Sequence, residues 1–302
     1  MKITFFSFYN IEISSLTGEK GGTSYGNHLY YPINVLCSQI KDKGYDIVEQ
    51  TEKYDIAIFL DLNKELFDFA SSLDKKIKKI LISIESPIYC PFLNHINILF
   101  DEIWDNVLTY NRSFVSDKLI HYDIPVTGNI ENYKFSPPNK EARGVAVSSY
   151  KNDDRGYVPI RRDALLRQLA QEDEIDLYGG GWQKEKNIYG KTLNKLDSMK
   201  NHSFAVVIEN CKYDGYVTEK LGDAILSGLP SIYYGDYKHA QKRFPGTFVI
   251  LEELNFESFL KAKKELFSKY EVLMKNIEQS FLNSESWIDS FLENVHKALD
   301  SN

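Results

Sequence analysis

Cysteine is scarce in this chain of 302 residues: Cys37, Cys90 and Cys211 are odd in number and widely spaced. That spacing excludes a disulfide framework and a paired-ligand zinc site. Long apolar runs are missing too. No stretch approaches the roughly 20 apolar residues of a membrane span. The N-terminal run Met1-Lys-Ile-Thr-Phe-Phe-Ser-Phe-Tyr9 is too short for a signal peptide and fits a strand. Basic residues are outnumbered, 36 against 43 acidic, for a net charge of −7. A broad nucleic-acid-binding face is thereby excluded, since it needs positive charge. No Gly-x-Gly-x-x-Gly follows the first strand, so a dinucleotide dehydrogenase would lack its fingerprint. No Asp-x-Asp pair stands at a strand end to hold a divalent metal, and Asp153-Asp154 sits in a polar loop. Internal repeats and low-complexity segments are absent as well.

What is present suits a globular α/β protein: 43% hydrophobic residues, 20 Tyr and 18 Phe. The length allows two ordinary domains, each with its own core. Along the first half, strand-like runs (residues 2–9, 46–49, 56–60, 80–84) alternate with helical patterns (28–43, 66–73). Such alternation predicts a parallel sheet covered on both faces. Thr127 to Lys140 reads as loop, and a new strand starts at Gly144, so the domains are expected at 1–140 and 141–302. The second continues through a helix at 161–170 and a strand at 175–178. Beyond Glu253 the chain reads as helical, with Trp287, Phe291 and Val295 on one face. Lys75, Lys76, Lys78 and Lys79 cluster between apolar segments and read first as a solvated turn. Contact with an anionic membrane surface is the second reading.

Residues 204–235, FAVVIENCKYDGYVTEKLGDAILSGLPSIYYG, are the densest in chemistry. An apolar strand (204–208) gives way at Glu209-Asn210 to a polar loop. Thr218 is placed to N-cap a helix carrying Glu219 and Lys220 in its first turn. Gly228-Leu229-Pro230 stops that helix and a strand returns. In an open α/β sheet, ligands sit beyond the carboxyl ends of strands, where helix N-termini favour anions. Lys220 would add a full positive charge there, and Glu219 a carboxylate able to hold hydroxyls. On pattern alone, an ordinary βαβ unit with a solvated first turn fits equally well.

The motif itself resembles that of the α-1,3/1,4-fucosyltransferases, glycosyltransferase family 10. Glu209-Asn210-Cys211 matches the family's Glu-Asn-Ser, and Tyr216-Val217-Thr218-Glu219-Lys220 its Tyr-(Val/Ile)-Thr-Glu-Lys. Pro230 to Gly235 matches the Pro-x-x-x-x-Gly that follows. Cys211 and Asp236 depart from the usual serines. The resemblance covers roughly residues 80–249. It implies a GT-B-like fold, with two Rossmann-like domains facing a central cleft and C-terminal helices crossing back. The first domain would bind the acceptor and the second the nucleotide sugar.

The resemblance also distributes roles. Glu85, in SIESPIYCP after the strand at 80–84, resembles the family's Glu-Ser-Pro glutamate, the proposed catalytic base. Without the resemblance, a surface glutamate before a turn proline is the plainer reading. Arg161 in Val-Pro-Ile-Arg matches an arginine that grips the donor pyrophosphate, for which a forked guanidinium is suited. Adjacent Arg162 is its rival. Lys220 would neutralise the pyrophosphate, Asn210 and Tyr216 would bond phosphate or sugar, and Val217 and Thr218 complete the donor-binding motif. Glu219 would hold ribose hydroxyls or stabilise an oxocarbenium-like transition state. Glu209 reads as support for the loop. Gly179-Gly180-Gly181 is either a phosphate turn or a chain reversal. Tyr110-Asn111-Arg112 resembles another family segment or starts a surface helix.

The expected activity is inverting, metal-independent transfer of L-fucose from GDP-β-L-fucose to a glycan hydroxyl, with no cofactor. The acceptor would lie on a lipopolysaccharide or other surface polysaccharide. The chain looks bacterial in type and is expected in the cytoplasm or peripherally at the inner membrane. Two alternatives stand: a transferase of the same fold using another nucleotide sugar, and a non-catalytic nucleotide-sugar-binding protein.

Overall fold

The computed structural model describes residues 1–9, 12–16, 31–126, 135, 138, 143–151, 156–192 and 194–301. Residues 28–30, 139–142 and 153–154, on which the start of one expected helix, the expected domain boundary and the acidic loop pair fall, lie outside them. The described chain is α/β and forms two compact units, each a Rossmann-like parallel sheet clothed by helices, as in GT-B proteins. Of the described residues, one unit holds those up to Pro125 together with those from Ile288 on; the other holds those from Val126 to Trp287.

The first unit runs β1 (Lys2–Ser7), α1 (Ile13–Leu16), α2 (Tyr31–Asp42), β2 (Asp46–Ile47), β3 (Ile56–Leu60), α3 (Lys64–Ser72), β4 (Lys78–Ser83), α4 (Ile96–Leu99), β5 (Asn106–Thr109) and β6 (Leu119–His121). The strands lie in the order β2-β1-β3-β4-β5-β6, all parallel. β3 and β4 are apolar runs because both their faces are covered. One side of the sheet packs Phe6, Phe59 and Trp104, with the Phe59 and Trp104 rings edge-to-face at 5.3 Å. β4 begins at Lys78, so half of the lysine cluster belongs to a strand. Lys78 Nζ donates to the Leu299 carbonyl at 3.1 Å, and Lys79 Nζ to the Asp74 and Ile77 carbonyls at 3.0 Å. Lys75 and Lys76 alone of the four are exposed.

The second unit runs β7 (Gly144–Val147), α5 (Tyr157–Gln171), β8 (Ile175–Tyr178), β9 (Ile188–Gly190), α6 (Lys195–Met199), β10 (Ala205–Ile208), α7 (Glu219–Leu226), β11 (Ser231–Tyr234), α8 (Tyr237–Arg243), β12 (Phe248–Ile250), α9 (Phe256–Ser268) and α10 (Tyr270–Leu282). Its sheet order is β12-β11-β10-β7-β8-β9. The chain builds outward one way from β7 and then the other way from β10, so the topological switch point lies between them. Ligands in open α/β sheets bind at such a point.

The chain's last helix, α11 (Asp289–Asp300), belongs to the first unit: the tail crosses back. The expected single apolar face is divided there. Trp287 stays on the second unit, edge-to-face with Phe244 at 5.0 Å, while Phe291 and Val295 are fully buried in the first. Phe291 packs on Tyr122 at 5.6 Å between ring centroids. A short 3₁₀ turn at Ser284–Ile288 carries Trp287 and breaks the helix ahead of Phe291 and Val295. No helix among the described residues is long and apolar enough to cross a membrane.

If the tail is a structural part of the first unit, Phe291→Ala should destabilise that unit by about 3–5 kcal/mol through the cavity it leaves. Thermal melting of the whole chain checks this; an unchanged melting temperature would mean that the helix is dispensable.

Candidate functional site

β10 ends at Ile208, and the next residue, Glu209, is fully buried. A carboxylate taken out of water needs donors for its oxygens. They come from nine residues on: Thr218 N–H donates to Oε1 at 2.8 Å, and the Thr218 hydroxyl to Oε2 at 2.8 Å. Lys220 Nζ completes the set, 3.2 Å from Oε2 and 2.8 Å from Thr218 Oγ1. Thr218 is the N-cap residue of α7 in position, yet its side chain makes no cap bond; its hydroxyl donates to Glu209 and accepts from Lys220 Nζ. The loop between is tied down as well. Gly215 N–H donates to Asp236 Oδ2 at 2.8 Å, and Arg243 Nη1 to the Val217 carbonyl at 3.0 Å. The Val217 side chain is core, packed with Leu221 and Ala224. Gly235 has a steric reason: a Cβ there would stand 2.3 Å from the Tyr233 hydroxyl oxygen and 2.8 Å from Glu209 Cγ.

Around this scaffold the charged groups converge. Lys195, in α6, pairs with Asp223 and lies 3.5 Å from Glu219; Lys220 lies 3.8 Å from the same Glu219 oxygen. Burial opposes ionisation of Glu219, but Lys220 and Lys195 outweigh it and hold its carboxyl down at about 2. Burial likewise opposes the Lys195 ammonium, and Asp223 and Glu219 overcome that and raise its pKa. Lys195 and Lys220 line one cavity with Val147 and Ser148 from the end of β7 and Val206, Val207 and Ile208 from β10. That cavity is at the switch point.

α5 starts at Tyr157, earlier than the expected 161, because Pro159 is tolerated in a first helical turn. Arg161 and Arg162 therefore stand in the second turn, where periodicity separates them. Arg162 falls on the stripe of Val158, Leu165, Leu166 and Leu169 and is buried. Its Nε lies 3.0 Å from Asp163 Oδ1, and its Nη1 donates to Asn210 Oδ1 at 2.9 Å. Asn210 Nδ2 in turn reaches the Tyr216 hydroxyl at 3.4 Å. Arg161 is exposed, its guanidinium over the Tyr157 ring at 5.6 Å. The glycine turn answers to packing: a Cβ on Gly179 would stand 2.0 Å from the Ser148 carbonyl oxygen.

Glu85 lies in the other unit, two residues past β4 and half-buried. Its Oε1 accepts the Ser86 N–H at 2.6 Å. Its backbone N–H donates to both carboxylate oxygens of Asp61, at 3.1 and 3.2 Å. Asp61 is fully buried at the end of β3, and burial, beyond what hydrogen bonds from Ile84 and Glu85 recover, pushes it up to about 7. Lys195 and Asp61 escaped the sequence reading. Asp61 left a signal, a carboxylate ending the apolar run IAIFL; Lys195, on a helix of five residues, left none. Cys37, Cys90 and Cys211 are all buried free thiols.

The profile of "Glycosyltransferase family 10 (fucosyltransferase) C-term" matches residues 137–297. The 4-galactosyl-N-acetylglucosaminide 3-alpha-L-fucosyltransferase 9 of Bos taurus is 25% identical over 226 residues, 74% of this chain and 56% of the relative. The chain thus spans about half the length of the curated relatives it matches. Among solved structures, an alpha1,3-fucosyltransferase superposes with a TM-score of 0.61 at 17% identity, over 97% of this chain and 90% of that one. An alpha1,3-fucosyltransferase with GDP-fucose gives 0.56 at 18%, over 100% and 91%. At such identity these structures speak to the fold.

Two stability predictions follow from the buried carboxylates. Glu209→Ala takes one carboxylate from Lys220 and the acceptor from the Thr218 N–H and hydroxyl, and should cost roughly 3 kcal/mol, read as a lower denaturant midpoint. Asp61 carries a pH signature. Its pKa rises from 3.8 to about 7 on folding, so across that window the folded state holds a proton that the unfolded state has released. Its contribution to stability is full at acid pH and is lost as pH rises through about 7. Asp61→Asn should abolish that fall. Parallel melting curves of both proteins against pH check this; the same fall in Asp61→Asn would mean that another group carries it.

Proposed function

The chain belongs to glycosyltransferase family 10, the fucosyltransferases, and we propose that it transfers L-fucose from GDP-β-L-fucose to a glycan hydroxyl with inversion. The supporting observation is the hydrogen-bonded unit made by Glu209, Thr218 and Lys220 at the switch point of the second sheet. It places a lysine and the N-terminus of α7 where a diphosphate is best received. The fucosyltransferase 9 relatives are named for a 4-galactosyl-N-acetylglucosaminide acceptor, which makes that disaccharide the first acceptor to offer. A surface polysaccharide or lipopolysaccharide carrying such a unit is the proposed natural acceptor.

In the proposed reaction the acceptor oxygen attacks the anomeric carbon as the bond from that carbon to the β-phosphate oxygen breaks. Glu85 takes the acceptor's proton, and GDP leaves with the electron pair of the broken bond. Arg161, Lys220 and the α7 N-terminus meet the negative charge growing on the diphosphate, in the role a divalent ion plays elsewhere. Arg162, being buried, orients Asn210, and Asn210 with Tyr216 holds phosphate or sugar. Glu219, kept ionised by its two lysines, is fitted to accept hydrogen bonds from ribose hydroxyls. Val217 and Thr218 serve by fixing the loop that presents them.

Calorimetric titration with GDP, GDP-fucose, GDP-mannose, UDP-glucose and UDP-galactose, without metal, tests the donor. Binding of GDP and GDP-fucose alone is expected; preference for a UDP sugar or for GDP-mannose would overturn the fucosyl reading. Glu85→Ala should abolish transfer while GDP affinity holds, and transfer at a near-normal rate would move the base elsewhere. Lys220→Ala should weaken GDP binding and slow transfer together; unchanged donor kinetics would remove it from the pyrophosphate.

A further inference from the structure

Ser83, Ile84 and Glu85 carry the chain out of β4, and side chains from three neighbouring strand ends grip them. Tyr122, just past β6, donates its hydroxyl to the Ser83 carbonyl at 2.6 Å. Asp61, just past β3, accepts the Ile84 N–H at 2.7 Å besides that of Glu85. Tyr110, just past β5, donates its hydroxyl to the Glu85 carbonyl at 3.2 Å. The peptide groups on either side of the Glu85 Cα are thus held from opposite directions.

Asp61 occupies its post at a cost. Its backbone sits at φ 56°, in the left-handed region that residues other than glycine seldom adopt. Its N–H continues the sheet by donating to the Ile82 carbonyl at 2.9 Å, so the strained backbone turns the side chain across to the end of β4. Among the described residues no cation pairs with its buried carboxylate, whereas Lys220 pairs with Glu209. Strain and an unneutralised buried acid at one residue persist where the surrounding structure enforces them, and they gather at functional sites.

We propose that Asp61 is a positioning residue for Glu85, its ionised carboxylate clamping the Glu85 N–H while Tyr110 clamps the C=O, so that the base presents its carboxyl group in one orientation. The inference rests on the reading of Glu85 as the base. Protonation would replace a charge-assisted acceptor with a neutral one and slacken the clamp. The titratable groups facing Asp61 are Glu85 from the β4 exit, Cys90 from the segment after it and Tyr122 from the β6 exit. Burial raises the Cys90 thiol to about 12 and Tyr122 higher than its usual value, so both stay neutral while Asp61 titrates. Turnover should therefore carry an acid limb with its midpoint near the Asp61 pKa of about 7.

The test follows GDP release from GDP-fucose, with N-acetyllactosamine as acceptor and again with water alone, from about pH 5 to about 9. Wild type, Asp61→Asn, Asp61→Ala, Tyr110→Phe and Glu85→Ala are compared, with calorimetric GDP affinity as the check that the donor unit is intact. Asp61→Asn should lower kcat by about 10- to 100-fold through a loosened base, leave KM for GDP-fucose and GDP affinity unchanged, and lose the acid limb. Asp61→Ala should fall further. Should it fail to fold, Asp61→Asn and Tyr110→Phe carry the result. A wild-type rate and acid limb in Asp61→Asn would overturn the clamp. So would a reduced rate with the acid limb intact, since that is what a merely structural role produces. Glu85→Ala separates the two claims: inactive Glu85→Ala beside unaffected Asp61 variants sinks the clamp alone, whereas active Glu85→Ala sinks the base and the clamp with it. A wild type that releases no GDP from GDP-fucose overturns both.

Discussion

A carboxylate removed from water, Glu209, is the constraint on which the second unit's chemistry depends. Its burial would cost several kcal/mol if its charge went unpaired. Both of its oxygens are instead satisfied from a single later turn of chain, by Thr218 and Lys220. That requirement closes the loop from Asn210 to Val217 and fixes where α7 begins. The Thr218 hydroxyl meets that carboxylate, and its side chain makes no cap bond to the first turn of α7. A helix start left in that state favours an anionic ligand. Gly235 belongs to the same constraint, because Glu209 and Tyr233 crowd it too closely for any side chain.

The first unit meets the corresponding problem with less charge. At the end of a parallel strand the backbone N–H groups leave the sheet and need partners. Asp61 supplies them at the exit from β4, as a buried acceptor of the Ile84 and Glu85 N–H groups. Glu209 has a lysine beside it and Asp61 has Glu85. Burial is what raises Asp61 to about 7, and the nearby Glu85 adds to it. One sheet thus holds its buried carboxylate in an ion pair, and the other a carboxylate that titrates near neutrality beside the proposed base.

Much of this was legible in the residues. Apolar runs such as IAIFL and ILISI announce strands buried on both faces, and the switch from VVI to Glu-Asn marks a strand's carboxyl end. The signature's members could be read together because they are close in sequence, and the fold brings Glu209, Thr218, Glu219 and Lys220 into one cluster. β5 and β6 were not legible: NVLT and LIH are short and partly polar, and become strands by pairing with β4 and with each other. The start of α5 was misplaced because a proline inside the first turn looks like a boundary. Lys195 was invisible because its role depends on a fold that brings α6 against α7. The break in the tail between Trp287 and Phe291 is likewise set by which unit each residue finds.

The placement of α5 bears on which cation meets the donor. Lys195 and Lys220 bring two positive charges, but Glu209, Glu219 and Asp223 surround them with three negative ones. With all five ionised, that cluster sums to −1 and cannot by itself attract a diphosphate. Arg162 is half spent, its Nε on Asp163. Arg161 differs: it is exposed, rests on an aromatic ring and has no carboxylate ion pair among the described residues. A guanidinium so placed keeps its charge and its donors for an incoming phosphate. The two lysines hold Glu219 ionised, and in the proposed reaction Lys220 joins Arg161 at the diphosphate. Adjacent residues on one helix face different ways, Arg162 inward to set Asn210 and Arg161 outward, as its proposed role at the diphosphate requires. The 3.6-residue period enforces that division once the helix begins at Tyr157.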